Sequence, residues 1–205
     1  MEKGLKKEVE AEFYCSTSRP ASVYRGNPFV VEVSIAYGGK IQAEKSITIM
    51  RFANRVPLLY QQGACASTES ITDINWRPYG LQQSGSSVPT GPAIVIIHMA
   101  SVWVPFTSEA KEAIAHYPEI IKDVKLALQE CGRKLGMYVN KKVRISQQLE
   151  RANLFEKYIP EIADSISSLS GTPKDALESQ LKEMLNKDEI KAQLELPTEN
   201  GNKEE

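Results

Sequence analysis

A long apolar stripe in the second half of the chain limits the possible folds more than any other feature. Its members recur at alternating steps of three and four residues, the spacing of one helix face, and only Lys142 breaks it. Pro118 suits the first helical turn, and Pro160 predicts the end of the helix. About 40 helical residues at a rise of about 1.5 Å each span roughly 60 Å, about twice the width of a small domain. The apolar positions are Ile121, Val124, Leu128, Cys131, Leu135, Tyr138, Ile145, Leu149 and Ala152.

Such a helix cannot bury its whole stripe on one small domain. Its first half can cover a sheet, whereas its second half is predicted to protrude and to need a partner. That partner is either another chain or the returning segment 160–170. Gly132 and Gly136 inside the helix cost about 1 kcal/mol each relative to alanine. They indicate either the close approach of a neighbouring backbone or a kink.

The first half of the chain shows the period of two that is typical of strands. Residues 28–37 alternate apolar side chains with Glu32 and Ser34, so this strand has one wet face. Gly38 and Gly39 predict a two-residue hairpin turn into a return strand. The predicted strands are 12–19, 28–37, 46–54 and 93–100, of which the last is apolar on both faces and therefore central. A short helix is predicted over 61–74 and a mobile loop over 82–92.

The C-terminal part predicts a short amphipathic helix. The stretch "TPKD" at 172–175 offers a threonine cap and a first-turn proline. From about Leu196 onward the apolar content is too low for order. We predict an α+β two-layer sandwich, with a four-stranded sheet backed by helices and a long protruding C-terminal helix. Its domains would be residues 1–160 and a helical tail over 161–205 with a disordered end.

The charge and the cysteines exclude several classes of protein. Twenty-five Lys and Arg residues oppose 26 Asp and Glu residues, for a net charge of −1, so any contact with nucleic acid is local. Cys15, Cys65 and Cys131 are odd in number and lack a CxxC spacing, which predicts buried thiols in a reducing compartment. The charged stretch at residues 1–13 and the lack of a run of 18 apolar residues predict neither a signal peptide nor a membrane span. These features predict a cytoplasmic protein.

Three basic side chains favour structural roles. His98 lies in the central predicted strand, and we expect a backbone group to bind it. A catalytic role for His98 is disfavoured, because His116 is the only other histidine of the sequence and no acid is spaced to orient either ring. Arg51 and Arg55 flank the stretch "FAN", and we predict structural ion pairs for both.

Two further basic residues, Lys111 and Arg77, lie in longer motifs that indicate a possible function. Lys111 lies in "VPFTSEAKEAIA" (104–115), and by residue type it is a solvated lysine of a first helical turn; the chain has no GxxxxGK[ST] phosphate loop. In "WRPY", Trp76 and Tyr79 bracket Arg77. This motif forms either an exposed surface for a phosphate backbone or a protein partner, or a pair of core aromatics.

Four longer stretches carry a family resemblance. They are "RPASVYRGNPF" (19–29), "RFANRVPLLYQQGACA" (51–66), "INWRPYGL" (74–81) and "VPFTSEAKEAIA" (104–115). Together they resemble the B subunit of archaeal DNA topoisomerase VI, a type IIB topoisomerase. The similarity extends over roughly residues 12–160 in the family's order, which is far more specific than a short motif. It concerns only the transducer domain of that subunit.

The resemblance implies a fold and a set of functional residues. The fold would be similar to the second domain of ribosomal protein S5, with a long helix that runs to the A subunit. Lys111 matches a lysine that meets the γ-phosphate of ATP. "WRPY" is similar to a Trp-Lys-x-Tyr motif, with Arg77 in the lysine position, so that Trp76, Arg77 and Tyr79 would contact DNA or the A subunit. The residues implied to dock on the A subunit are Ile145, Leu149, Leu177, Leu181 and Leu185.

The resemblance also implies cofactors and partners. ATP and Mg would be bound by the complete subunit and not by this chain alone, since the ATPase motifs and the DNA-cleaving residues are not in this sequence. The chain alone is therefore expected to be inactive. Its partners would be the A subunit, a second B subunit on ATP binding, and double-stranded DNA. One alternative is an ATPase-less scaffold that recruits a DNA-cleaving partner. Another is an independent nucleic-acid-binding module, which the near-neutral charge disfavours.

Overall fold

The computed structural model describes residues 1–185 and confirms the α+β class, with one mixed sheet. The sheet order is β1-β3-β6-β4-β5, and β2 also pairs with β3. Only β4 and β6 run parallel; all other neighbours are antiparallel. The strands are β1 (Phe13–Ser18), β2 (Ser22–Tyr24), β3 (Asn27–Tyr37), β4 (Thr48–Ala53), β5 (Val56–Pro57) and β6 (Ala93–Ser101). The helices are α1 (Glu2–Glu8), α2 (Ala66–Thr72), α3 (Pro118–Ser170) and α4 (Lys174–Met184).

All four predicted strands are present, but the prediction of a four-stranded sheet was wrong. The sheet has six strands, because β2 and β5 add three and two residues at its edges. Strands this short contain no full alternation of apolar and polar residues, so a period of two cannot reveal them. The detailed similarity to ribosomal protein S5 stays a prediction.

The predicted hairpin at Gly38 and Gly39 was also wrong. Both glycines adopt positive φ, at 79° and 63°, but they do not join paired strands. β3 pairs along its length with β6, from Phe29 opposite Ser101 to Tyr37 opposite Ala93. The strand that follows the glycines, β4, pairs with β6 from the other side. The fully apolar β6 is central and separates the two strands that the turn was expected to join.

One face of the sheet and the first part of α3 form the core. Val33 and Ile35 of β3, and Val95 and Ile97 of β6, are buried on this face. α3 covers them with a buried stripe made of Ile120, Val124, Leu128, Cys131 and Leu135. The stripe thus follows the predicted spacing, except that Ile120 and not Ile121 occupies its first buried position. Burial of these apolar side chains makes the main favourable contribution to the free energy of folding.

The three cysteines are free and buried, as predicted. Cys15 donates a hydrogen bond to the carbonyl oxygen of Cys131 at 3.7 Å, and the thiol of Cys131 donates to that of Val33 at 3.7 Å. The hydrogen bond with the Cys15 side chain and the burial of the site raise the pKa of Cys131 far above its ordinary value. This thiol therefore stays protonated and unreactive in the folded chain.

The long helix begins at Pro118, as predicted, but it does not end at Pro160. It continues to Ser170, although a proline in a helix interior removes a hydrogen bond and costs about 3 kcal/mol. Ile159 and Ala163 on either side of the proline are fully buried, and their packing offsets this cost. The helix ends at Gly171, whose φ is 72° and whose N–H bonds to Ser167.

Residues 160–170 do not return along α3, because they form its last turns, and α4 follows after Gly171. Lys174 at the start of α4 forms an ion pair with Asp164 of α3 at 3.1 Å. The predicted threonine cap is absent, because Pro173 occupies the N-cap position and no side chain caps the helix. Leu177, Leu181 and Leu185 are half-buried. The predicted disorder from Leu196 onward lies outside the described residues.

The chain forms two compact units, Met1–Met137 and a second that begins at Tyr138. α3 contributes its first part to one unit and its remainder to the other. The predicted division at residue 160 and the predicted protrusion of the helix stay predictions. Within residues 1–185, no helix is both long enough and apolar enough to cross a bilayer.

Candidate functional site

Lys111 lies at the tip of a loop between β6 and α3. At the base of the loop, Phe106 bridges Ile114 and the N–H of Thr107 donates to the carbonyl oxygen of Ala113 at 2.9 Å. At the tip, the N–H of Lys111 donates to the carbonyl oxygen of Ser108 at 3.2 Å. The expected helix is absent here, since α3 begins only at Pro118. Lys111 is thus a loop residue and not a first-turn lysine.

The backbone and the side chain of Lys111 are both unusual for a surface lysine. Its φ of 56° is in the left-handed region, which a residue other than glycine enters only at a free-energy cost. Its side chain is exposed, and its amine forms no ion pair with any residue of the described range 1–185. The ammonium is therefore available to an anion outside this part of the chain.

The root of the Lys111 loop is attached to the core. Ala113 and Ile114 are buried. The N–H of Ile114 donates to the buried thiol of Cys65 at 3.4 Å, and its carbonyl oxygen accepts from the N–H of Ala66 at 3.0 Å. These bonds join the loop to the first turn of α2. The root of the loop and α2 are thus connected by hydrogen bonds and by buried side chains.

Large apolar side chains are left uncovered on the two segments that lead into this region. Val102 and Trp103 precede the loop and are 84% and 69% exposed. Leu59 and Tyr60 precede Cys65 and are exposed to a similar extent. Exposed apolar side chains of this size are the groups that a protein partner commonly covers when they lie together.

Arg51 holds the second of these segments in place. Its side chain is buried, and Nη2 donates to the carbonyl oxygens of Leu58 and Tyr60 at 2.8 and 2.9 Å. The prediction of ion pairs for Arg51 and Arg55 was wrong. Arg51 binds backbone carbonyls, and the exposed Arg55 has no carboxylate partner within the described residues.

The "WRPY" stretch forms a 3₁₀ turn, Arg77–Tyr79, preceded by a buried Trp76. The indole Nε1–H donates to the carbonyl oxygen of Ile71 at 2.8 Å, and the ring packs edge-on against Tyr79 with centroids 5.8 Å apart. Trp76 is 0% exposed, so its side chain offers no surface to DNA or to the A subunit. Of the three residues, Arg77 is exposed and Tyr79 is half-buried.

The "WRPY" turn packs against the two glycines of α3, Gly132 and Gly136. A Cβ atom at Gly132 would lie 2.7 Å from the ring of Tyr79, and one at Gly136 would lie 3.2 Å from the carbonyl oxygen of Pro78. Close approach of a neighbouring backbone, one of the two alternatives from the sequence, thus explains Gly136, whereas the group that lies against Gly132 is the side chain of Tyr79. The neighbour is the "WRPY" turn of the same chain.

Arg77 lies beside an open cleft of about 580 Å³. The cleft is also lined by Ser84, Ser87 and Thr90, which can donate hydrogen bonds to an anion. The sequence from residue 74 to residue 108 contains no Asp or Glu. The cleft therefore combines a permanent positive charge with hydroxyl donors, and no carboxylate in its own segment opposes an anion.

Gln83 forms hydrogen bonds around the cleft beside Arg77, and the sequence did not predict a role for it. It is buried, although the predicted element over 82–92 is a loop. The backbone groups of Gln82 and Thr90 also pair with each other, at 2.9 and 2.7 Å. A buried glutamine in a Ser- and Gly-rich segment has no signature in composition or period, because its role depends on groups distant along the chain.

His98 has a structural partner, as predicted, but the partner is a carboxylate and not a backbone group. Its Nδ1 lies 2.9 Å from Oε2 of Glu32, the residue opposite it on β3. Nε2 is buried and has no partner within the described residues. No second acid or nucleophile accompanies the pair in these contacts, and the arrangement gives no support to catalysis.

The predicted docking residues on α3 differ in exposure. Ile145 is buried and Leu149 is half-buried. Four exposed apolar side chains of this part of α3 form a separate stripe at helical spacing: Phe155, Tyr158, Ile166 and Leu169. Val143 and Leu154 are exposed as well. Docking of the A subunit stays a prediction.

Comparison with known proteins gives one consistent result. The family model described as the transducer of the topoisomerase VI B subunit matches residues 1–151. The B subunit of type 2 DNA topoisomerase 6 from Methanococcoides burtonii is 51% identical over 80% of this chain and 26% of its own length. The corresponding subunits of Methanosarcina barkeri and Natronomonas pharaonis are 48% and 45% identical over 82% and 89% of this chain.

The chain spans about a quarter of the length of the curated relatives it matches. Among solved structures, the B subunit of DNA gyrase from Myxococcus xanthus aligns with a TM-score of 0.43 and 16% identity, over 65% of this chain and 38% of that chain. A similarity this low supports no conclusion. The family match and the relatives show that the chain belongs to the transducer family of topoisomerase VI B subunits.

Proposed function

We propose that this chain couples ATP binding and hydrolysis elsewhere in a topoisomerase VI B subunit to the opening of the DNA gate in the A subunit. The observation that carries the proposal is the exposed ammonium of Lys111, which has no ion-pair partner within residues 1–185 and lies on a loop whose root is bonded to the core. A charge placed in this way can respond to an anion and move the elements behind it.

Lys111 would direct its ammonium at the terminal phosphate of ATP bound by the remainder of the subunit. A lysine suits this role because its charge is compact and its stem is flexible. Hydrolysis would remove that partner, and the loop would transmit the change to α2 through Cys65 and Ala66. The exposed Val102, Trp103, Leu59 and Tyr60 would be covered by the same neighbouring part of the subunit. Mg would accompany the nucleotide there, and no residue of this chain is assigned to it.

Arg77 would contact the phosphate backbone of double-stranded DNA. Its exposure, the hydroxyl groups of the adjoining cleft and the absence of acids from residue 74 to residue 108 all favour an anionic partner. Tyr79, whose ring packs against Gly132 of α3, would support this contact. Trp76 would act only through packing, since its side chain is buried.

Replacement of Lys111 tests the nucleotide role. In the heterotetramer of complete A and B subunits, Lys111→Ala is expected to leave folding unchanged and to reduce ATP-dependent DNA relaxation at least about tenfold, because one charge-assisted contact to phosphate is lost. The control is Lys122→Ala, which removes another exposed lysine at the start of α3.

Two outcomes would contradict the proposal. Equal relaxation by the Lys111→Ala and wild-type complexes would remove Lys111 from the mechanism. Full activity of the A subunit with this chain alone and without ATP would instead favour the ATPase-less scaffold.

A further inference from the structure

The side chain of Gln83 uses all of its hydrogen-bonding groups inside the chain. Oε1 accepts the N–H of Trp76 at 3.0 Å. Nε2 donates to the carbonyl oxygens of Thr72 and Ser87 at 3.2 and 3.0 Å. One acceptor and two donors are what a primary amide provides, and a carboxylate of the same shape could not donate to the two carbonyls. Gln83 thus connects the end of α2, the turn at Trp76 and the loop at Ser87.

The backbone of the same residue holds Arg77. The carbonyl oxygen of Gln83 accepts from Nε and Nη2 of Arg77 at 3.0 and 2.8 Å. The N–H of Arg77 is itself bound by Oδ1 of Asn75 at 3.2 Å. A planar guanidinium that shares one oxygen between Nε and Nη2 has a fixed orientation.

This geometry leaves the outer edge of the guanidinium free. Nη1 has no acceptor within residues 1–185 among the hydrogen bonds of Arg77. Nη1 and the remaining hydrogen of Nη2 form a fork that matches two oxygens of a phosphate group. The partner on the inner edge is a neutral carbonyl, so the positive charge of Arg77 is not cancelled.

We infer that Gln83 is a positioning residue that fixes the outer edge of Arg77 for a DNA phosphate. The side-chain amide fixes the place of the Gln83 backbone, and the backbone carbonyl fixes the guanidinium. Loss of the amide would release the carbonyl, and Arg77 would keep its charge but lose its orientation. The inference rests on the proposed contact of Arg77 with DNA.

A double-mutant cycle on DNA binding tests this role. The affinity of the chain for a fluorescent DNA duplex is measured by anisotropy over a series of salt concentrations, for wild type, Arg77→Ala, Gln83→Met and the double variant. We expect Arg77→Ala to weaken binding about tenfold and to lower the salt slope by about one. Gln83→Met should weaken binding about three- to tenfold in the wild-type background and have no further effect in the Arg77→Ala background.

Two variants complete the design. Gln42→Met makes the same change at an exposed glutamine outside the cleft and is expected to leave the affinity unchanged. If Gln83→Met does not fold, the cycle is run with Gln83→Asn, which keeps the amide but shortens the side chain by one methylene group. The expected pattern is the same, with a smaller loss.

The outcomes separate this inference from the proposed function. An equal loss from the Gln83 variant in both backgrounds, or no loss in the wild-type background, would overturn the positioning role while the Arg77 contact stands. Unchanged DNA affinity of Arg77→Ala would overturn the DNA contact itself, and the inference with it. In that case a weakened affinity of Arg77→Ala for the A subunit would identify a protein partner in place of DNA.

Discussion

At the scale of single residues, the informative groups are buried polar side chains that bind backbone. Arg51 and Gln83 both act in this way, and each fixes a surface segment from beneath. A buried polar group without hydrogen bonds costs about 1–3 kcal/mol. The structure satisfies the side-chain amide of Gln83 but leaves Nη1 of Arg51 without a partner within the described residues.

The buried thiol of Cys131 makes stability depend on pH in the alkaline range. Its pKa is raised in the folded chain, so the folded state holds this proton more tightly than the unfolded state. The contribution is complete below the ordinary thiol pKa and is lost as pH rises above it. We expect the free energy of unfolding to fall by about 1.4 kcal/mol per pH unit above about pH 9, measured by urea denaturation.

The comparison with Cys131→Ala isolates this effect from the titration of lysines and tyrosines. In that variant the free energy of unfolding should not show the additional decrease with pH between about pH 9 and pH 10. Equal slopes in the two proteins would mean that the thiol does not titrate differently on unfolding.

At the scale of elements, α3 departs from simple helix rules at three positions. Pro160 lies within it, and Gly132 and Gly136 lie on the surface that faces the "WRPY" turn. Helix propensity disfavours all three. Tertiary contacts account for each exception, because buried neighbours surround the proline and the turn occupies the space above the glycines.

Gly132→Ala is expected to destabilise the chain although alanine is the better helix former. The new methyl group would lie 2.7 Å from the ring of Tyr79, and overpacking of this kind costs about 1–3 kcal/mol. The gain in helix propensity is about 1 kcal/mol. The free energy of unfolding, measured in urea, should therefore fall by up to about 2 kcal/mol.

Two controls establish the cause of that change. Gly4→Ala in α1 meets nothing within 4 Å and should be neutral or stabilising by up to about 1 kcal/mol. In a Tyr79→Ala background, Gly132→Ala should no longer destabilise. The same loss in both backgrounds would show that the ring of Tyr79 is not what the glycine accommodates.

At the scale of the whole molecule, each of the two compact units has its own exposed apolar surface. The first presents the side chains beside the Lys111 loop, and the second presents the stripe that includes Phe155 and Tyr158. The proposed function would use two such surfaces, one for the part of the subunit that binds nucleotide and one for the A subunit. This division of surfaces is consistent with the proposed function.

Phe155→Ala and Tyr158→Ala are expected to weaken binding to the A subunit. Large aromatic side chains that become buried at an interface commonly contribute about 2 kcal/mol or more, so each Kd should rise at least about tenfold by isothermal titration calorimetry. Ile145→Ala should instead lower the free energy of unfolding by about 2–5 kcal/mol, because Ile145 is already buried.

Val23→Ala serves as the matched surface control, since Val23 is an exposed apolar residue of β2 in the other unit. Its Kd should equal that of the wild type. If Phe155→Ala and Tyr158→Ala also bind the A subunit with unchanged Kd, the docking surface lies elsewhere.

The sequence by itself determined the elements whose signal is periodic and local. The four longer strands and the face that α3 turns to the sheet follow from the spacing of apolar residues. The start of α3 follows from Pro118, and the buried thiols follow from the number and spacing of the cysteines. Each of these predictions was correct. The family was also evident from four stretches of sequence. These features are local because side-chain direction repeats every two residues in a strand and every 3.6 in a helix.

Only the tertiary structure decided which strands pair, where α3 ends and which residues of the site are exposed. The order β3-β6-β4 depends on the central position of β6, and the passage of α3 through Pro160 depends on packing around Ile159 and Ala163. The burial of Trp76 and the link from Gln83 to Arg77 depend on groups that are brought together by folding. These contacts join residues that are far apart in the sequence. The periodic placing of apolar residues cannot reveal them, because they depend on how the chain packs in three dimensions.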